Sequence, residues 1–454
     1  MDDIVHERVH RLAQLPIPKA LGILSFPLVM SNTLLTSHQV VNTLWVGKLG
    51  AKAIAAVSVS FPIIFLLVSL GGGLALAGSI LVAQYAGARN TPMVMHVSAQ
   101  SLSLVITVAA LFSVAGWISA QPLLCLIGIG SDILSEATVY LQVSFLGLVF
   151  VFAFEIFLSI LRGIGVVRLP LCLVACSVVL NLALDPLLIF GLGPVPARGV
   201  VGAAYATLLT EVLMAAVSLW LLLGRRYGVS LRPADFVPSV PTIKRVLLLG
   251  LPGCIEQSVD ALGLTVLTAM VAGFGTTAIA SYGVAFRLLV IVLIPVLGIS
   301  MATATLVGHN VGAGDVVRAK RSATVSAWCS FWLLTAVAVP VWLSAESLVR
   351  LFVPRDPAVI SQGASALRLM AASFGLIGVQ FSLVGALRGA GDTLTPMLLT
   401  IAAVWIVQIP VAYSLSHFTS LGAVGLWCSF PVSAAVAAGY ALRQMRKHHW
   451  RSVV

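Results

Sequence analysis

The fold class this sequence predicts is an all-α integral membrane protein, with twelve transmembrane helices in two pseudo-symmetric six-helix bundles around a central cleft. Three observations predict it. The 454 residues are 59% hydrophobic and only 9% charged, where a soluble chain carries about a quarter charged residues. The apolar runs reach about twenty residues or more, the length a bilayer-spanning helix needs. Residues 161–170, LRGIGVVRLP, return at 387–396 as LRGAGDTLTP, so the chain reads as a single plan used twice. Alternating ten-residue strands are not seen, which argues against an outer-membrane barrel.

The apolar runs place twelve spans at 18–45, 52–85, 93–120, 136–161, 169–192, 199–223, 244–272, 277–311, 322–345, 359–387, 394–416 and 421–442. An even number puts both termini on one side. Nineteen of the 26 Lys and Arg residues, among them Arg8, Arg89, Arg162, Arg225, Arg226, Arg318, Arg388 and Arg451, fall on the side of the N-terminus. Six (Lys48, Lys52, Arg198, Arg350, Arg355, Arg368) fall opposite, and Arg287 lies within a span. That bias predicts both termini in the cytoplasm of a multi-pass inner-membrane protein. The same rule accounts for the net charge of +11 without a nucleic-acid partner.

The polar stretch RRYGVSLRPADFVPSVPTI divides the chain into an N-terminal half at 1–224, a linker at 225–243 and a C-terminal half at 244–454. An offset of 225 pairs Pro27 with Pro252, Gly50 with Gly275, Phe61 with Phe286 and Gly87 with Gly312. Each half holds six spans, so both insert in the same orientation, related by an axis along the membrane normal. The six cysteines show no CxxC pair and read as small apolar fillers. Residues 1–17 lack the apolar core and cleavage site of a removable signal.

Several segments together resemble the multidrug and toxic compound extrusion transporters. They include FPLVMSNTLLTSHQVVNTLWVGKLG (26–50), VAQYAGARN (82–90), NLALDPLLIFGLG (181–193), VGHNVGAGD (307–315) and the two LRGxG motifs. The LDP-containing fifth span is more similar to the DNA-damage-inducible (DinF-like) branch than to the NorM branch. The resemblance implies a cation-coupled antiporter that exports amphipathic, mostly cationic compounds, with H⁺ or Na⁺ as coupling ion and no other cofactor. It also leads us to expect a monomer whose partners are a small-molecule substrate and the bilayer.

Five acids fall inside predicted spans: Glu155, Asp185, Glu211, Glu256 and Asp260. An ionised carboxylate at the bilayer centre costs about 2.5–3.5 kcal/mol even on insertion scales, so each must pair, face water or take up a proton. Asp185 is the foremost candidate. Asn181 lies one helical turn before it, and Pro186 frees the carbonyl of Leu182 from its helical bond. A carboxylate, an amide oxygen and a free carbonyl are hard-oxygen donors that suit Na⁺ as well as a proton. In the resembling family an Asn and an Asp at these positions form part of an N-lobe cation site, with Thr207 matching a further polar position. Asn42 stands where that branch usually has Asp, so it cannot titrate; His38, one turn earlier, can. Glu155 is read as a relay or a cation attractor, with Arg162, seven residues on, as its structural rival partner. Glu256 and Asp260, four residues apart, cannot both ionise comfortably, and Arg287 is an alternative partner for either. The resemblance matches Asp260 to an acid of the NorM branch, whose second acid is replaced here by Ile377.

No Walker A motif and no hydrolase or metalloprotease signature occurs, so neither ATP-driven transport nor an enzyme is expected. A lipid-linked or saccharide flippase remains the alternative transporter, disfavoured by the few intramembrane basic residues. A membrane-embedded transferase would need larger aqueous loops.

Overall fold

The structure, a computed structural model, describes residues 2–191, 193–224, 231–448 and 450. Residues 225–230, with Arg225 and Arg226 of the predicted linker, and 451–454, with Arg451, lie outside the described residues. Helices account for nearly all of the described chain, as they must where hydrocarbon offers no partner for main-chain N–H and C=O groups. In order they are α1 (Asp2–Gln14), α2 (Ile17–Gly47), α3 (Ala51–Gly87), α4 (Thr91–Leu126), α5 (Ser131–Gly163), α6 (Arg168–Phe190) and α7 (Gly199–Leu223). A short 3₁₀ turn (Pro233–Phe236) leads to α8 (Val240–Ala272), α9 (Thr276–Gly312), α10 (Val316–Leu343), α11 (Ala345–Phe352), α12 (Pro357–Ala371) and α13 (Phe374–Gly389). The last membrane segments are α14 (Leu394–Ile401), a π-helical stretch (Ala402–Gln408), α15 (Ile409–His417) and α16 (Ala423–Lys447).

Among the described residues, eleven membrane spans are continuous and the twelfth is the pair α12 and α13, bent by 46°. The tenth span, expected as a single helix over 359–387, is therefore broken. At the break Ser373 closes a tight turn on Met370: its main-chain N–H and its hydroxyl donate to the same carbonyl, at 3.0 and 2.5 Å. That turn interrupts the i→i−4 ladder without a proline, and no strong breaker in the sequence announces it.

Two compact units result. One comprises Met30–Cys254 with the chain up to Arg11, and the other comprises Leu12–Val29 with Ile255 onward. The boundaries within α2 and α8 lie at 29/30 and 254/255, two residues beyond Pro27 and Pro252. Phe145, Phe152 and Phe157 are fully buried in the first unit. In the second, Trp427 is fully buried and stacks on Tyr282 with ring centroids 5.6 Å apart. Within the second unit, Arg318 donates to the carbonyls of Leu12 and Leu15 at the C-terminal end of α1, at 3.2 and 2.6 Å. A cation there complements the negative end of the helix.

The repeated motif does the same work in each unit. A Cβ on Gly163 would lie 2.9 Å from the carbonyl oxygen of Ser79, and one on Gly389 would lie 2.3 Å from that of Ala304. Ser79 and Ala304 are themselves 225 residues apart, so the first glycine of LRGxG lets equivalent helices approach backbone to backbone. The second glycine ends the helix in the left-handed region, with φ of 76° at Gly165 and 89° at Gly391, as a helix C-terminus commonly requires. Gly389→Ala should therefore destabilise the protein by about 1–3 kcal/mol, read as a lower melting temperature in detergent.

Gln100, fully buried on α4, fastens the chain ahead of α8 to the first unit. Its amide nitrogen donates to the carbonyls of Asp235 and Val237, both at 2.8 Å, and its oxygen accepts from Ser239 N–H at 3.1 Å. Gln100→Ala should release that segment, and limited proteolysis should then cut between residues 231 and 239 faster than in the wild type.

Candidate ion-coupling site

In the first unit α6 carries Asn181 and Asp185 one turn apart, and the helix continues through Pro186 to Phe190. Asp185 is completely buried and Asn181 is 2% exposed. Turned so that its amide nitrogen faces the carboxylate, Asn181 donates to both Asp185 oxygens, at 3.0 and 3.3 Å. The same nitrogen lies 2.5 Å from His38 Nε2, which then accepts and carries its own proton on Nδ1. The amide oxygen is 3.5 Å from the hydroxyl of Thr210 on α7. Tyr140 of α5 lies within electrostatic reach of Asp185. Helices α2, α5, α6 and α7 thus each contribute a polar side chain around Asn181 and Asp185, and the group hydrogen-bonded to Asp185 is a neutral amide.

Asp185, Asn181 and His38 come together as the sequence predicts. Asn42, one turn beyond His38 on α2, and Thr207 are half-buried. The α7 hydroxyl that reaches Asn181 belongs to Thr210, three residues beyond Thr207. Helical periodicity marks the right face here, but the depth along it depends on how α6 and α7 slide past each other.

Two of the other intramembrane acids, Glu155 and Glu256, face the motif arginines. Glu155 lies 4.0 Å from Arg162 on the same helix. Glu211 on α7 lies within electrostatic reach of Glu155, and its Oε2 is buried with no hydrogen-bond partner. In the second unit, Glu256 is 7% exposed. It accepts from Arg388 Nη2 at 2.7 Å and from the Thr400 hydroxyl at 3.1 Å. The expected alternative pairing with Arg287 is corrected: Arg287 is exposed on α9 and joins none of the ion pairs among the described residues. The end of α13 brings Arg388 to Glu256 instead. Asp260, one turn on, is exposed and within electrostatic reach of Glu256.

Thr400 stands just before the π-helical stretch, from which the Trp405 indole donates to the carbonyl of Val259 at 3.2 Å. A π-helical bulge often marks a working part of a membrane helix. Arg388 and Thr400 were missed by sequence reasoning. The signal for Arg388 was available: an arginine kept at the same place in both halves of so apolar a chain needs a counter-charge. Among the described residues no group of three or more His, Cys, Asp or Glu side chains could hold a metal ion.

The MatE family pattern matches this chain twice, over residues 27–187 and 252–414. "Probable multidrug resistance protein YoeA" of Bacillus subtilis is 28% identical over 428 residues, covering 92% of this chain and 91% of that protein. An FAD transporter of Shewanella oneidensis is 25% identical over 424 residues, 93% of each chain. A crystal structure of a MATE transporter in complex with MaL6 superposes with a TM-score of 0.91 at 26% identity, covering 96% of this chain and 97% of that one. The repeat, the span count and these likenesses agree: the chain belongs to the MatE family of multidrug transporters, multi-pass membrane proteins that are not enzymes.

Proposed function

We propose that this protein is a proton-driven antiporter of the cytoplasmic membrane that exports amphipathic organic cations, with Asp185 as the exchanging group. The observation that carries the reading is the contrast among the intramembrane acids. Glu155 and Glu256 face arginines, Asp260 is exposed and Glu211 has a buried oxygen without a hydrogen-bond partner, whereas Asp185 is fully buried and hydrogen-bonded to a neutral amide. A buried carboxylate with neutral partners must gain a proton or a cation to remain in place. Binding that ion in one conformation more tightly than in the other is what couples its entry to export of the substrate.

Asn181 favours the proton over Na⁺. With its nitrogen turned to Asp185, the amide offers no oxygen to a metal ion in this arrangement. His38 is joined to Asp185 through that amide, while Asn42 stands in place of a carboxylate. Glu256 and Asp260 supply a secondary acidic site in the second unit. Both termini in the cytoplasm and a monomeric state complete the proposal, within the DinF-like branch.

A dinucleotide is the second reading, because one relative is an FAD transporter. Two phosphates call for arginines that are free to bind them. Arg162 and Arg388 face Glu155 and Glu256, and Arg287 alone would leave one of the two phosphates unmatched, which favours the cation.

The test is reconstitution in liposomes with H⁺ and Na⁺ gradients imposed separately. Uptake of a fluorescent cationic dye should follow the H⁺ gradient. Dye movement driven by neither gradient would overturn the antiporter reading, and movement driven by Na⁺ alone would overturn the choice of ion.

A further inference from the structure

Between Asp185 and the LRGxG end of the first unit, helices α5, α6 and α7 carry only two further acids, Glu155 and Glu211. Helix α7 packs on both α5 and α6, and its residues 210 and 211 stand where it meets each of them. Thr210, 2% exposed, turns its hydroxyl to the Asn181 amide of α6 at 3.5 Å. Glu211 follows about 100° further round the helix and is turned to α5, where Glu155 is the charge that acts on it. Two adjacent residues of α7 thus join the Asp185 cluster to the second pair of acids.

The register of α5 and α7 sets these groups in line. Two reversals separate the two spans, so they run in the same direction. Gly147 of α5 faces Leu208 of α7: a Cβ on Gly147 would meet Leu208 Cδ1 at 3.8 Å. Glu211 therefore stands level with Phe150, and Glu155 lies about 7.5 Å further towards the LRGxG end. Helical side chains lean back towards the helix N-terminus, which turns the Glu155 carboxylate up towards Glu211. Glu155 is 4.0 Å from Arg162, beside the end of α5 at Gly163, and its side chain is 37% exposed. Oε2 of Glu211 is buried with no hydrogen-bond partner, so it can accept a proton without first breaking a bond. A packing role would favour a hydrogen bond at that buried oxygen. The polar groups form a string from buried Asp185 through Asn181, Thr210 and Glu211 to half-exposed Glu155.

We infer that Glu211 is a proton relay: it takes the proton that Asp185 gives up and passes it to Glu155, from which it leaves to water on the cytoplasmic side. The relay rests on the proposed exchange of H⁺ at Asp185 and adds the route by which that proton departs. Each hop runs through water, within the reach that proton transfer requires. The Asp185 O–H bond breaks as water takes its proton, and water gives a proton to Glu211 Oε2. Protonated Glu211 loses it to Glu155 in the same way, and Glu155 loses it to the cytosol. Every O–H bond broken is matched by one formed, and all three carboxylates end ionised.

The experiment compares two reactions of the full-length protein in liposomes, both read with tritiated 1-methyl-4-phenylpyridinium. Uptake into vesicles with an acidic lumen needs net proton movement through the protein. Exchange of labelled for unlabelled cation with no gradient does not. Glu211→Gln should slow gradient-driven uptake about tenfold or more, the scale of a lost proton-transfer group, while exchange stays near the wild-type rate. Glu211→Asp should recover part of the uptake. Glu155→Gln, at a half-exposed position, should show the same split and carries the test if Glu211→Gln fails to fold. Uptake and exchange falling together would mark a structural residue and overturn the relay, as would unchanged uptake in Glu211→Gln. Wild-type uptake that ignores the H⁺ gradient would overturn the antiporter reading itself, so the two failures are distinguishable.

Discussion

Asp185→Asn should reduce H⁺-driven efflux to the leak of protein-free liposomes while the protein still folds and inserts. Asn preserves the size of the side chain and can still bond to Asn181, so packing changes little. What disappears is the ability to exist in two charge states. Coupling energies between linked sites are typically about 1–3 kcal/mol, or about 5- to 150-fold in affinity, and the whole of that factor should collapse towards one. The check is dye transport with and without an imposed pH gradient, alongside the melting temperature. A variant that keeps full gradient-dependent transport would remove Asp185 from the coupling role. His38→Gln should have a smaller effect, because the amide of Asn181 keeps a hydrogen-bonding neighbour and only the second titratable group is lost.

Arg388→Ala should be the most destabilising single substitution in the second unit. It strands Glu256 with only the Thr400 hydroxyl as partner. Removing one member of a buried ion pair typically costs about 3–5 kcal/mol. Glu256→Gln in the same chain should recover much of that loss, since the uncompensated charge is then gone. A thermal-unfolding double-mutant cycle measures the difference. Losses that simply add would mean that the 2.7 Å contact contributes no coupling energy. The equivalent change in the first half, Arg162→Ala, should cost less: its carboxylate partner is 4.0 Å away and 37% exposed.

Most of the scaffold was legible because it rests on local rules. Long apolar runs gave the spans, and LRGxG marked two equivalent helix ends that the glycine geometry reproduces. Asn181 and Asp185 were legible as a pair because one helical turn brings them together whatever surrounds them. Partners from distant segments were harder. Glu256 and Arg388 are 132 residues apart, and nothing in spacing alone prefers Arg388 to Arg287. Thr210 replaced Thr207 because the sliding of two packed helices is set by side-chain interdigitation. The break before Phe374 carries no proline or polar run that distinguishes it from straight helix, whereas Pro410, just beyond the π-helical stretch Ala402–Gln408, leaves the carbonyl of Ile406 without its i→i−4 partner and marks a disturbance there.

The unit boundaries at 29/30 and 254/255 bear on how such a chain arose. In each half, the opening segment of the first long helix is grouped with the other unit. A protein made of one half alone would lack that segment from its own fold and would have to receive it from a second copy. Joined in one chain, the two halves are free to diverge in sequence. Ser31 now stands where the second half has Glu256, and Phe381 where the first has Glu155. A symmetric ancestor would have had to carry each innovation twice.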